Sequence, residues 1–129
     1  MWGTIVNIVL WIIASLLAAA FLAAGLMKLS QPKEKLVTSG MGWAADFSAG
    51  TIKTLGGLEV LAAVGLILPA ALNIAPVLVP LAALGLVIVM IGAIVTHGRR
   101  RETQSIIMNV VLLVLATVVV WGRFGPYSF

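Results

Sequence analysis

The run TIVNIVLWIIASLLAAAFLAAGLM, residues 4–27, contains no charged residue. A helix crosses the hydrocarbon core of a bilayer with about 20 apolar residues, so this run is long enough to span it. Three further apolar runs follow at residues 51–68, 75–97 and 104–122. Residues 1–129 are therefore predicted to form a single transmembrane domain. Its fold class is all-α, an integral membrane four-helix bundle with antiparallel spans.

The composition of the chain also favours a membrane location. Hydrophobic residues make up 62% and charged residues 9% of its 129 residues, whereas soluble domains carry roughly 45–50% and about 25%. The first apolar run is longer than the apolar segment of about 7–15 residues in a secretory signal peptide, and no basic residue precedes it. We therefore expect this run to remain in the mature protein.

The connection between the first two spans is the one substantial polar segment. A short helix lying on the membrane surface is predicted within residues 32–48, because Pro32 suits a first helical turn and Gly40 and Gly42 suit its end. Trp43 is expected to lie at headgroup level as a membrane anchor.

Basic residues are concentrated on one side of the predicted bundle, at the ends of apolar runs. They are Lys28, Lys33, Lys35, Lys53, Arg99, Arg100 and Arg101. Only Arg123 lies on the other side. The positive-inside rule then places loops 28–50 and 98–103 in the cytoplasm and both termini outside the inner (plasma) membrane.

The net charge of +4 arises from these helix-end residues rather than from a basic polar face. This pattern argues against a nucleic-acid partner and favours membrane lipids. Arg99, Arg100 and Arg101 are accordingly expected to anchor the protein at lipid headgroups.

Glu59 is the one carboxylate inside an apolar run. It lies six residues after Lys53, which places it about 9 Å deeper along a helix. An ionisable group at that depth costs about 2.5–3.5 kcal/mol on insertion scales, so it is expected to face the bundle interior and to be paired or protonated. Lys53 lies about 120° around the helix from Glu59, so the partner is expected from another helix.

Three side chains from other spans are candidate partners for Glu59 in the same half of the bundle: Lys28, His97 and Asn109. Together the four form a candidate ligand-binding site. Each also has a structural interpretation. Glu59 suits a buried group that sets helix register, Lys28 a lysine that extends to the membrane surface, His97 an interfacial residue, and Asn109 a helix-to-helix hydrogen bond.

Several classes of chemistry lack the residues that they require. The chain has no cysteine, which excludes thiol redox catalysis, iron–sulfur ligation and thiolate metal sites. Its single histidine does not support a metal site within one copy of the chain. We therefore predict no metal, no catalytic residue and no cofactor held by the chain alone.

Several stretches of the chain resemble the DoxX-like family of small bacterial membrane proteins. They are AGLMKL at 24–29, KTLGGLEVL at 53–61, GLILP at 65–69, PLAALGL at 80–86, TH at 96–97 and NVVLL at 109–113. This resemblance implies a four-helix membrane bundle with a polar site at Lys28, Glu59 and His97. It also implies an expected link to quinone-dependent redox systems, because some relatives are associated with quinone-linked sulfur oxidation.

Three functions are compatible with these features. The first is an accessory subunit of a membrane redox system that binds a small ligand such as a quinone headgroup. The second is a scaffold or assembly factor whose polar groups serve helix packing. The third is a small proton-coupled exporter using Glu59, although the four-helix exporters of this size carry their working glutamate in the first span. For each of the three functions, the protein is expected to form a homo-oligomer or to be a subunit of a membrane complex.

Overall fold

The computed structural model describes residues 2–129 and is helical throughout its regular structure over that range. The elements are α1 (Trp2–Ser30), α2 (Lys33–Thr38), a 3-10 turn (Gly42–Asp46), α3 (Ala49–Ala71), α4 (Leu78–Arg99) and α5 (Thr103–Phe124). Within the described range, α1, α3, α4 and α5 are each long and apolar enough to cross a membrane. The predicted four-helix membrane bundle, with a short helix between the first two spans, is confirmed.

The four long helices pack in the cyclic order α1, α3, α4, α5, with α5 returning to α1. Their inward faces form an apolar core of Leu17, Phe21, Ala63, Leu66, Val79, Ala83, Leu86, Met90, Ala116 and Val119. Large apolar side chains such as Leu61 and Ile88 cover the outside of the bundle. Because lipid is as apolar as the core, this outer surface suits contact with membrane lipids.

The predicted limits of 51–68 require helix α3 to end before Pro69. In the structure α3 continues through Pro69 to Ala71. The helix is ended by Asn73, which adopts the left-handed conformation with φ 54°. The backbone N–H of Ile74 then donates to Pro69 O at 2.9 Å. This is a Schellman motif, for which asparagine is a favoured residue after glycine.

Helix α4 also differs from its predicted limits of 75–97 at both ends. Ala75 has a positive φ of 47° and belongs to the turn, so the helix begins only at Leu78. At the other end the helix runs past Gly98, which lies inside its last turn, and ends at Arg99. Arg101 takes the left-handed position instead, with φ 57°. The Glu102 N–H donates to His97 O at 3.0 Å, which folds Glu102 back against His97.

Residues 31–48, which connect α1 to α3, form a cap over one end of the bundle. Helix α2 ends at Thr38, and Gly40, which follows the C-cap residue Ser39, takes a positive φ of 105° that suits the predicted helix end. Under the cap lies a small cluster of Leu36, Ala44 and Ile52, all fully buried. The cap is therefore packed onto the start of α3 rather than lying apart from the bundle.

The opposite end of the bundle is closed by Arg123, which the sequence marks only as a topology signal. Its guanidinium donates to Asn7 Oδ1 and to Tyr127 O, both at 2.8 Å, and lies 3.9 Å from the ring centroid of Phe129. Its residue exposure is only 5%. These contacts fasten α5 and the C-terminal residues to the beginning of α1.

Candidate functional site

A cavity of about 600 Å³ lies between the four long helices at the capped end of the bundle. All four predicted site residues, Lys28, Glu59, His97 and Asn109, line it. The structure adds Trp43 and Glu102 to the polar and aromatic groups of the wall. Apolar side chains of the helices complete the wall toward the middle of the bundle, so the cavity is polar at one end and apolar at the other.

Lys28 and Glu59 form an ion pair at the inner wall of the cavity. Lys28 Nζ lies 2.7 Å from Glu59 Oε1, and the two residues are 7% and 3% exposed. The interpretation of Lys28 as a lysine that extends to the membrane surface is therefore wrong. Because neither charge is in water, each depends on the other for compensation.

Two glycines explain how Lys28 reaches Glu59. A Cβ added to Gly25 would lie 2.6 Å from Gly56 O, and one added to Gly56 would lie 2.8 Å from Lys28 Cβ. Helices α1 and α3 thus cross with their backbones almost in contact, as small residues allow in membranes. Since Gly56 precedes Glu59 by three residues, the stem of Lys28 passes over the glycine and its ammonium meets the carboxylate one turn further on.

Lys53 has a different role from Lys28. Its ammonium donates to the carbonyl oxygens of Lys28, Leu29 and Gln31, at 2.8, 3.0 and 2.7 Å. Those carbonyls lie at the C-terminal end of α1, where the helix dipole favours a cation. As the angular argument predicts, Lys53 does not pair with Glu59, and instead it ties the start of α3 to the end of α1.

His97 and Glu102 form a second polar pair at the rim of the cavity. His97 Nδ1 lies 2.9 Å from Glu102 Oε1. With Glu102 ionised, Nδ1 is the donor in this contact, because an ionised carboxylate only accepts hydrogen bonds; in the neutral ring Nε2 is then an acceptor. The Schellman turn at the end of α4 is what brings the two side chains together.

The indole of Trp43 lies between the two pairs. Lys28 Nζ is 5.6 Å from its ring centroid, within cation–π range, and the ring of His97 meets it edge to face at 6.5 Å. The sequence predicts Trp43 to be a membrane anchor, and its position in the cavity wall was not predicted. The only signal available was its position in the polar connection, which does not say which way the ring turns.

Asn109 lines the cavity but does not bridge helices. Its side-chain amide donates to Ser105 O in its own helix at 2.7 Å. In the part of the chain that the structure describes, it makes no hydrogen bond to another helix. The interpretation of Asn109 as a helix-to-helix bond is therefore wrong, and its amide group remains in the polar part of the wall.

The three arginines at the end of α4 are exposed, but they are not equivalent. Arg100 Nη1 donates to Asp46 Oδ2 at 2.8 Å, and its Nε lies 3.4 Å from Glu102 Oε1. Arg100 thus ties the cap to the rim pair of the cavity. Contact of Arg99 and Arg101 with lipid headgroups stays a prediction.

Residues 2–129 contain no group of three or more histidine, cysteine, aspartate and glutamate side chains that could hold a metal ion. The charged groups in the cavity wall are one lysine, two carboxylates and the histidine. With Arg100 beside Glu102, positive and negative charges are nearly balanced. The site can therefore offer donors and acceptors to a polar group without a strong preference for either charge.

Comparison with known proteins gives one assignment. No curated protein and no solved structure matches the chain. The model of the DoxX-like family matches residues 12–119, a stretch that includes every polar residue of the cavity wall. Since this match covers most of the chain, the protein belongs to the DoxX-like family and is a multi-pass membrane protein.

Proposed function

We propose that this protein is an accessory subunit of a membrane-associated redox system, in which it binds a small ligand with a neutral polar headgroup. A quinone is the candidate ligand. The observation that carries the proposal is the cavity itself, where the Lys28–Glu59 and His97–Glu102 pairs and the Trp43 ring converge. Ligand sites commonly combine an apolar wall with a few placed polar groups.

The balance of charge in the wall supports a neutral headgroup. The ammonium of Lys28 is already paired with Glu59, so it can share a hydrogen with a carbonyl oxygen while remaining compensated. His97 can accept through Nε2, and Trp43 offers a flat apolar surface. Since each carboxylate of the cavity already has a cationic neighbour, Lys28 for Glu59 and Arg100 for Glu102, no uncompensated charge is left to favour an anion or a cation.

An accessory role follows from the residues that the chain possesses. A chain with no cysteine and one histidine has no thiol couple and too few soft ligands to hold an iron–sulfur cluster. Electron transfer to a bound quinone would therefore be carried out by a partner subunit. The contribution of this chain would be to bind and orient the ligand in the membrane.

Isolation in mild detergent tests the ligand. We expect mass spectrometry of the purified wild-type protein to detect a neutral amphiphile. The Trp43→Leu variant should retain at least about fivefold less of it, because a lost aromatic contact is worth about 1 kcal/mol or more. The matched control is Trp121→Leu, since Trp121 is 54% exposed and lies at the other end of the bundle. Ligand-free wild-type protein, or equal retention by the two variants, would contradict the proposal.

A scaffold function is the second candidate, and one observation favours it. The Lys28–Glu59 pair lies directly over the close crossing of Gly25 and Gly56, where it joins α1 to α3. In a scaffold the pair serves helix packing alone. A variant that replaces both charges with apolar residues would then keep every partner and phenotype, whereas a ligand-binding subunit would lose its ligand.

We further propose that the capped end of the bundle faces the cytoplasm of the inner membrane and that both termini lie outside. The cap and the end of α4 carry most of the basic residues, which supports this orientation by the positive-inside rule. The capped end and the end with both termini would then lie on opposite sides of a membrane that charged reagents do not cross.

Single-cysteine variants test this orientation cleanly, because the natural chain contains no cysteine. In intact cells we expect a membrane-impermeant maleimide to label Ser128→Cys and not Ser39→Cys, both of which are exposed positions. After permeabilisation both should react, which controls for accessibility. Labelling of Ser39→Cys in intact cells would reverse the orientation.

A further inference from the structure

Helices α1 and α5 touch closely at the end of the bundle opposite the cavity. A Cβ on Gly122 would lie 2.6 Å from Leu10 Cδ1, and Arg123 donates to Asn7. These two contacts set the antiparallel register of the pair. Because both helices rise equally per residue, Ala20 on α1 comes opposite Leu112 on α5, and Ala24 comes opposite Met108.

These four residues all line the cavity. Ala20 is also exposed, and Met108 is 61% exposed, so these two residues of the cavity wall are not covered by other parts of the described chain. The seam is the line of contact between α1 and α5 at these four residues. Its α1 side consists of two alanines, which leave a gap that larger side chains would fill. At the depth of the cavity the wall between α1 and α5 is therefore open toward the lipid-facing surface.

Ala20 lies eight residues before Lys28, which is roughly 12 Å further into the membrane along a helix. The seam thus opens into the hydrocarbon region rather than at the headgroups. The aqueous end of the cavity is covered by the cap, where Trp43 lies over Lys28 and the Arg100–Asp46 contact fastens the cap to α4.

We propose that the ligand enters this cavity from within the bilayer, through a lateral portal between α1 and α5 bounded by Ala20, Ala24, Met108 and Leu112. This inference rests on the proposed ligand-binding function and specifies the ligand class. The occupant is an amphiphile with an uncharged headgroup and an apolar chain. Its headgroup reaches the Lys28–Glu59 pair, and its chain lies in the seam and extends into lipid.

The shape and chemistry of the cavity support this occupant. A volume of about 600 Å³ is within the usual range for a small-molecule site and accommodates a headgroup with part of a chain. Polar groups stand at the capped end, whereas Ala20, Met108 and Leu112 make the seam apolar. A water-soluble ligand would gain nothing from a wall that opens to hydrocarbon.

The rate of ligand access tests the portal. In proteoliposomes of a variant that keeps Trp43 as its one tryptophan, the others being phenylalanine, a benzoquinone bearing a decyl chain is expected to quench Trp43 saturably. Ala20→Phe should slow both quenching and its reversal at least about tenfold, because it narrows the path without touching the polar groups. Slowing in both directions indicates a narrowed path, whereas weaker binding alone would speed the reversal.

Matched variants distinguish entry through the seam from entry at the aqueous edge and from loss of the fold. Ala19→Phe makes the same change at an exposed position of α1 outside the cavity wall and should leave the rate unchanged. Met108→Phe narrows the seam from α5 and should reproduce the slowing if Ala20→Phe unfolds. Thr51→Phe alters an exposed residue of the wall at the aqueous edge and should have no effect.

Two results would overturn the portal while leaving the binding function intact. In the first, Thr51→Phe slows access and neither seam variant does, which indicates an aqueous route. In the second, ligand access is as fast in every variant as in the parent. The absence of saturable Trp43 quenching in the parent would contradict the binding function itself and the portal with it.

Discussion

Glu59→Leu is expected to lower the free energy of unfolding by about 3–5 kcal/mol, because it leaves the ammonium of Lys28 buried without its partner. The 2.7 Å contact with Glu59 Oε1 compensates the charge of this lysine, which is only 7% exposed. Equilibrium unfolding in mixed detergent micelles, followed by circular dichroism, measures the loss. A change below about 1 kcal/mol, the usual worth of a polar contact in a membrane protein, would show that the pair does not stabilise the bundle in this way.

The double variant Lys28→Met with Glu59→Leu is the control for that experiment. It removes both charges and retains similar side-chain volumes, so most of the stability should return. The same protein then separates the two candidate functions. Restored stability together with loss of the bound amphiphile supports a ligand-binding site, whereas restored stability with the ligand retained or never present supports a scaffold.

Gly25→Ala is expected to destabilise the bundle by about 1–3 kcal/mol through overpacking. The new Cβ would lie 2.6 Å from Gly56 O and 2.7 Å from Val60 Cγ2. The first of these is a backbone atom and cannot move aside, so α1 and α3 must separate. Separation also lengthens the distance between Lys28 and Glu59. Ligand retention after purification should therefore fall together with the stability measured by equilibrium unfolding in mixed micelles.

Gly57→Ala provides the matched comparison for this effect. Its Cβ would have nothing within 4 Å, although it adjoins Gly56 in the same helix. Alanine exceeds glycine in helix propensity by roughly 0.8–1 kcal/mol, so this variant should be as stable as the wild type or more so. Equal loss of stability in Gly25→Ala and Gly57→Ala would show that the effect does not come from the helix crossing.

The arrangement of four spans was predictable from the sequence because hydrocarbon imposes a simple rule. A backbone in lipid must satisfy its own hydrogen bonds, so a predominantly apolar run of sufficient length becomes a helix. Helix ends were less predictable. Asn73 and Arg101 end α3 and α4 in left-handed conformations, while Pro69 and Gly98, the stronger sequence signals, lie inside the last turns.

Four polar residues of the cavity wall were predictable from the sequence, but the places of Trp43 and Glu102 in it, and the pairing of the charges, were not. Burial cost alone singles out Glu59, and helical angles exclude Lys53 as its partner. The choice of Lys28 over His97 and Asn109 depends on how closely α1 approaches α3 at Gly25 and Gly56. The distance between α1 and α3 depends on how the two helices pack together, so neither helix alone predicts it.

The sequence alone thus specifies the membrane bundle and identifies Glu59 as a buried carboxylate, because both follow from transfer energies summed along one chain segment. Tertiary structure decides which groups meet: Lys28 with Glu59, Glu102 with His97, Trp43 between them, and Arg123 with Asn7. It also decides where the cavity lies and which seam opens. Those outcomes depend on backbone separation and side-chain direction between helices, which residue order does not encode locally.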